Sequence, residues 1–231
     1  MAKERANDSK VGGFAFYLSL IFLLLLGCFS ILFVVQNLQL FLKGHWLGFL
    51  PGLAIGALIG KRFIRGSLAV FIHELKHSIV SNLAGNRAKG WKIKRHSGHF
   101  EYEYTKNTSH YNAFIALAPY YLPLATLLSF LIAYAISGES QFSAAIVGIG
   151  YGIDLVLTTR DISPEQTDFS NLRGGYGLGV MYVIAIQVII MILVATWVTN
   201  GANGLKLFAL SLWHTAMQIS DGVVNRIKGA S

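Results

Sequence analysis

Two histidines four residues apart, with a glutamate directly after the first, occur once in the chain, as His73-Glu74-Leu75-Lys76-His77. On a helix, residues four apart share one face, so both imidazoles can reach a single zinc ion while Glu74 stands beside it as a base. That is the equipment for hydrolysis: the metal acidifies a water and polarises a carbonyl, and the carboxylate moves the proton. A chance match in a chain of this length is on the order of one in a hundred.

The motif lies in Ser67–Leu83, SLAVFIHELKHSIVSNL, an otherwise apolar stretch that reads as a membrane helix. An ionisable group at bilayer depth costs about 2.5–3.5 kcal/mol on insertion scales, so a cluster of them there points to function. A buried polar cluster that merely joins helices is the plainer explanation, but three such groups without a metal are costly in lipid. Lys76 flanks the metal face, where it is expected to snorkel, to pair with Asp168 or a substrate carboxylate, or to disfavour zinc by its charge. A catalytic zinc takes three protein ligands and leaves one position open. The residues available to complete the set are Asp154, Asp161, Asp168, Asp221, His96, His99, His110 and His214.

Composition limits the setting. Of 231 residues, 54% are hydrophobic and 13% charged, and the mean hydropathy is +0.53, the balance of a membrane protein. The net charge of +8 comes from loops between apolar segments, where positive-inside topology explains it better than nucleic acid does. With one cysteine, Cys28, neither a disulfide framework nor a cysteine zinc site can form within the chain. The stretch LLLLGCFS is faintly like a lipoprotein cleavage site, but the apolar run continues to Leu42, so an uncleaved anchor is expected.

In chain order, residues 1–10 form a polar tail and 11–64 an anchor followed by a second apolar segment, 45–60, broken by Pro51 and four glycines. That segment reads as a short span or a re-entrant piece. A core over 65–198 follows, with apolar runs at 66–84, 112–136, 142–158 and 177–198, and a short C-terminal run at 205–220 closes the chain. Within 85–110, WKIKR and HFEYEY alternate polar and apolar residues with Ser97-Gly98 between them, predicting a β-hairpin. If 45–60 does not cross, thirteen lysines and arginines fall on one side and five on the other; if it crosses, the division is eleven to seven. The larger asymmetry favours an all-α polytopic protein with about six transmembrane helices, a re-entrant segment, and a small hairpin at the cytoplasmic surface, with both termini cytoplasmic. This topology puts the 159–175 loop on the side where the motif helix ends, and His77 lies roughly 10 Å in from that end. A loop dipping in near residue 168 would reach that depth.

The motif in a membrane helix, followed 91 residues after His77 by Asp168 in Ser163-Pro164-Glu165-Gln166-Thr167-Asp168-Phe169, resembles the site-2 protease family of intramembrane zinc metalloproteases. The match covers roughly 65–198. In that family an N-P-x-x-x-D-G-like motif carries the aspartate; Ser163 and Phe169 stand here in place of its asparagine and glycine. The resemblance implies a Zn2+ ligand set of His73, His77 and Asp168, with Glu74 as the general base. It also implies cleavage of membrane-associated substrates, with lipid as the surroundings. Compact size and the lack of a cleavable transit signal point to a bacterial plasma membrane as the expected location. The 91–105 hairpin either covers the site or captures a substrate segment by strand addition. Two other functional readings are a non-catalytic scaffold or metal-handling protein that keeps the fold, and a membrane metalloprotease with a glutamate as third ligand, for which Glu139 and Glu165 are the candidates.

Overall fold

The computed structural model describes residues 11–93, 98–103 and 111–229. The architecture is mostly helical with a small two-stranded antiparallel sheet. Helix α1 (Phe14–Gln36) leads through the single turn α2 (Leu38–Phe41) to α3 (Trp46–Arg62) and α4 (Ser67–Leu83). Strands β1 (Arg87–Ile93) and β2 (Gly98–Glu103) follow, then α5 (Asn112–Tyr121), α6 (Leu124–Ser137), α7 (Gln141–Asp161), the single turn α8 (Thr167–Ser170) and α9 (Gly175–Gly229). Helix α9 is two arms, because Asn200 and Gly201 leave helical geometry; Gly201 has φ +52°, a conformation open to glycine at little cost. The second arm folds back on the first, with Gly204 against Thr196 and Phe208 in one cluster with Phe33 and Ile192.

Among the described residues, three helices are long and apolar enough to cross a membrane, α1, α7 and α9, or up to five spans if the bent pairs α3–α4 and α5–α6 each count as one. The apolar surface agrees with a lipid setting: Leu18, Ile21, Phe22 and Leu25 on α1 and Leu131 and Tyr134 on α6 are exposed. Between the helices, small polar residues such as Ser30, Ser129, Ser143 and Thr196 are buried alongside apolar ones such as Phe16, Phe33, Leu117 and Val198.

The four glycines of 45–60 do not break the segment. They are Gly48, Gly52, Gly56 and Gly60, spaced by four, and they line one face of an uninterrupted helix of 17 residues. Against them lie Gln141, Ala145, Ile149 and Ile153 of α7, also in steps of four and in the same order. Helices α3 and α7 are therefore parallel and packed backbone to backbone, the close approach that small residues at i and i+4 permit. A Cβ at Gly52 or Gly56 would run into the carbonyl of Ala145 or Ile149.

This pairing corrects the expected sidedness. The C-terminal end of α3 lies at the C-terminal end of α7, where an Arg160 NH group donates to the Ile64 carbonyl at 2.8 Å. Lys61 and Arg65 thus share an end with Arg160 and Arg173 rather than facing them across the molecule. Val11, the first described residue, is there too, pairing with Asn171 and Arg173 through backbone hydrogen bonds. At the other end, the His45 NH donates to Val198 and Glu139 accepts from the Ala202 NH.

Helix α4 departs from the bundle direction. Gly66, at φ +58°, turns the chain so that α4 is bent 109° from α3. At 1.5 Å per residue its 17 residues span about 25 Å, of which only ~8 Å is recovered along the α3 axis. The HELKH helix lies across one end of the bundle. In the hairpin, Gly98 is not part of a turn but the first residue of β2, paired with Ile93, and a register shift falls between Ala88 and Gly90. His96 and His110 lie outside the described residues, as does the side chain of His99.

Candidate metal centre

Three elements converge at the end of the bundle where α4 crosses it. His73 and His77 project from successive turns of α4, with ring centroids 5.0 Å apart. Helix α8 carries Asp168, anchored by its neighbour Phe169, which is fully buried against Tyr120 at a ring distance of 4.5 Å. Gly179 makes room for that ring: a Cβ there would lie 2.6 Å from Phe169. An aromatic residue after the aspartate is thus built into the core instead of distorting the site.

Asp168 Oδ2 lies 3.2 Å from His73 Nε2 and 3.6 Å from His77 Nε2. Two ligands about 2.05 Å from a tetrahedral ion are about 3.3 Å apart, so this spacing is that of a coordination edge. Among the described residues, His73, His77 and Asp168 are the group whose donor atoms all lie within 4.8 Å of one another. His77 is oriented by its other nitrogen, Nδ1, which donates to the Ile115 carbonyl at 2.7 Å and leaves Nε2 facing the cluster. Burial alone would push the Asp168 carboxyl up, but hydrogen bonds and charge from His73 and His77 outweigh it and hold the group well below the ordinary carboxylate range. The cluster could hold a metal ion. Two imidazoles and one carboxylate suit zinc, and they also suit a non-haem iron.

The other candidates for a third ligand are accounted for elsewhere. Asp154 is buried and accepts from the Thr126 NH, the Thr126 hydroxyl and Lys76 Nζ. Lys76 therefore neither snorkels nor meets Asp168; it is 1% exposed and also reaches the Pro119 carbonyl. Asp161 sits outside the cluster, on the far nitrogen of His73, with Nδ1 to Oδ2 at 3.5 Å. Glu139 is at the opposite end of the bundle, and Glu165 is exposed and bound by Ser163. His214 and Asp221 are exposed on the second arm of α9.

The cluster opens into a cleft of about 1160 Å³. Glu74, 7% exposed, lines it next to the histidines. Alternate residues of β2, Gly98, Phe100 and Tyr102, face the same cleft. Gly98 comes so close that a Cβ there would lie 2.5 Å from Glu74 Oε1. Trp91 fixes the hairpin to α4, 5.5 Å from Phe71 and 6.1 Å from Phe100.

From the sequence, Tyr120 is expected at most to shape access, with no mechanism attached to it. Its ring is fully buried, edge-on to His73 at 5.6 Å, and its hydroxyl donates to Asp168 Oδ2 at 2.9 Å. Only the pairing of α5 with α8 brings the two together, so no local pattern announces it. Comparison of the chain with protein-family models, with curated proteins and with solved structures finds no match.

Proposed function

We propose that the chain is a membrane-embedded zinc metallopeptidase of the site-2 protease type, hydrolysing peptide bonds of membrane-associated substrates. The observation that carries this reading is the convergence of His73, His77 and Asp168 at coordination-edge spacing with Glu74 in the same cleft. Zinc is favoured over iron because a carboxylate placed beside the ligands serves proton transfer, which hydrolysis needs. An ion held by His73, His77 and Asp168 would supply Lewis-acid polarisation of the scissile carbonyl and lower the pKa of a bound water towards about 7. Glu74 accepts the proton as the water's oxygen bonds to the carbonyl carbon, and returns it to the amine nitrogen as the C–N bond breaks. Tyr120 and Ile115 hold Asp168 and His77 in place throughout.

Six crossings account for the helix directions: α1, α3, the α5–α6 pair, α7 and the two arms of α9, with α4 lying across the site end. Lys61, Arg62, Arg65, Arg87, Lys89, Arg160 and Arg173 gather at that end, against Lys43 and Lys206 at or near the other. By the positive-inside rule the site end is cytoplasmic, with both termini there. A site near the interface needs only the end of a substrate helix to unwind. The hairpin, which borders the cleft through Gly98 and Phe100, is the surface that receives the resulting extended segment by strand addition.

The test is metal content and cleavage of a membrane-segment peptide panel by the purified full chain. Wild type is expected to carry one zinc and cleave; Glu74→Gln is expected to keep the zinc and lose at least a hundredfold in rate. Wild type without zinc, or Glu74→Gln cleaving at the wild-type rate, overturns the proposal.

A further inference from the structure

Resting on the metal reading above, we propose that Asp161 is a positioning residue for His73, and that Arg160 fixes Asp161 in turn. His73 is gripped at both ring nitrogens by carboxylates that come from different elements. Nε2 faces Asp168 of α8 at 3.2 Å, and Nδ1 faces Asp161 at the end of α7 at 3.5 Å. A neutral imidazole carries one ring proton. With Nδ1–H directed to Asp161, the Nε2 lone pair is left for the ion, as the Ile115 carbonyl leaves that of His77.

The two oxygens of Asp161 are divided between two jobs. Oδ2 meets His73, while Oδ1 accepts from Arg160 Nε at 2.9 Å. The same guanidinium donates to the carbonyl of Ile64, in the corner between α3 and α4, at 2.8 Å. A continuous chain of polar contacts thus runs from the α3–α4 corner through Arg160 and Asp161 to the first metal-binding histidine. It ties the angle at which α4 crosses the bundle to the orientation of the His73 ring. Among the described residues, His77, held by an uncharged carbonyl on α5, has no such link.

Removing an outer partner of a ligating histidine weakens metal binding by about 10–100-fold. The experiment measures zinc dissociation constants by chelator competition on the detergent-solubilised full chain, with the visible spectrum of the cobalt-substituted protein as a second readout. Asp161→Asn is expected to bind zinc about tenfold more weakly, while its cobalt spectrum at saturation matches wild type because the ligand set is intact. Arg160→Gln, which touches no ligand, is expected to show a smaller loss, and the double variant to be no weaker than Asp161→Asn alone. If Asp161→Asn will not fold, Arg160→Gln decides: weaker zinc binding supports the inference and unchanged binding overturns it. An Asp161→Asn protein that binds zinc within twofold of wild type overturns the positioning role but leaves the metal centre standing. An altered cobalt spectrum makes Asp161 a ligand and overturns it as well. Wild type that binds no zinc removes the metal reading itself.

Discussion

Lys76 Nζ lies 3.1 Å from Asp154 Oδ1, with both side chains buried. The one lysine inside HELKH is therefore neutralised on the side of α4 away from the cleft. The pair joins α4 to α7, and through Thr126 and Pro119 it also reaches both helices of the bent α5–α6 pair. The charge next to the histidines is a fastening of the motif helix and does not oppose a cation.

Removing one partner of a buried ion pair strands the other. Lys76→Met is expected to lower stability by about 3–5 kcal/mol, whereas Lys76→Met with Asp154→Leu recovers most of the loss. Thermal unfolding in one detergent checks this, and equal destabilisation by the single and double variants would contradict it.

The outer contact of Asp168 gives a second expectation. Asp168→Ala should abolish stoichiometric zinc, while Tyr120→Phe should retain it with about 10–100-fold weaker affinity, the usual effect of removing an outer partner of a ligand. Loss of zinc in Asp161→Ala but not in Asp168→Ala would reverse the ligand assignment.

Gly98 tests the hairpin. A methyl group there meets Glu74 Oε1, so Gly98→Ala is expected to reduce cleavage severalfold at unchanged zinc content. Wild-type kinetics in this variant would show that the strand does not crowd the base.

The glycine face of α3 predicts a stability effect remote from the site. Gly52→Ala and Gly56→Ala each force a methyl into a carbonyl of α7, at a cost of about 1–3 kcal/mol. Gly13→Ala, with nothing within 4 Å, should be close to neutral in the same melt.

Sidedness can be read by impermeant thiol labelling of single-cysteine variants made in a Cys28→Ser background. Lys61→Cys and Arg173→Cys should label from the same side of the membrane and Lys43→Cys from the other. Labelling of positions 61 and 173 from opposite sides would restore the arrangement that loop charges suggested and refute the parallel α3–α7 pair.

The sequence by itself determined the class of the molecule and the heart of its site. Composition and apolar run lengths dictate membrane helices, because only lipid tolerates so much exposed apolar surface. The i, i+4 rule places His73 and His77 on one face whatever surrounds the helix. The period-two pattern was enough for the hairpin, since strand alternation is local. Tertiary structure alone decided where α4 lies, because one positive φ at Gly66 turns a helix with a spanning composition across the end of the bundle. It also decided that the glycines of α3 form an interface; the spacing by four was visible, but its partner on α7 was 93 residues away. The division of labour among Asp154, Asp161 and Asp168 was closed to sequence for the same reason. Three aspartates within 15 positions have similar local surroundings, and only packing assigns one to a lysine, one to the outer nitrogen of His73, and one to the inner nitrogens of the two motif histidines.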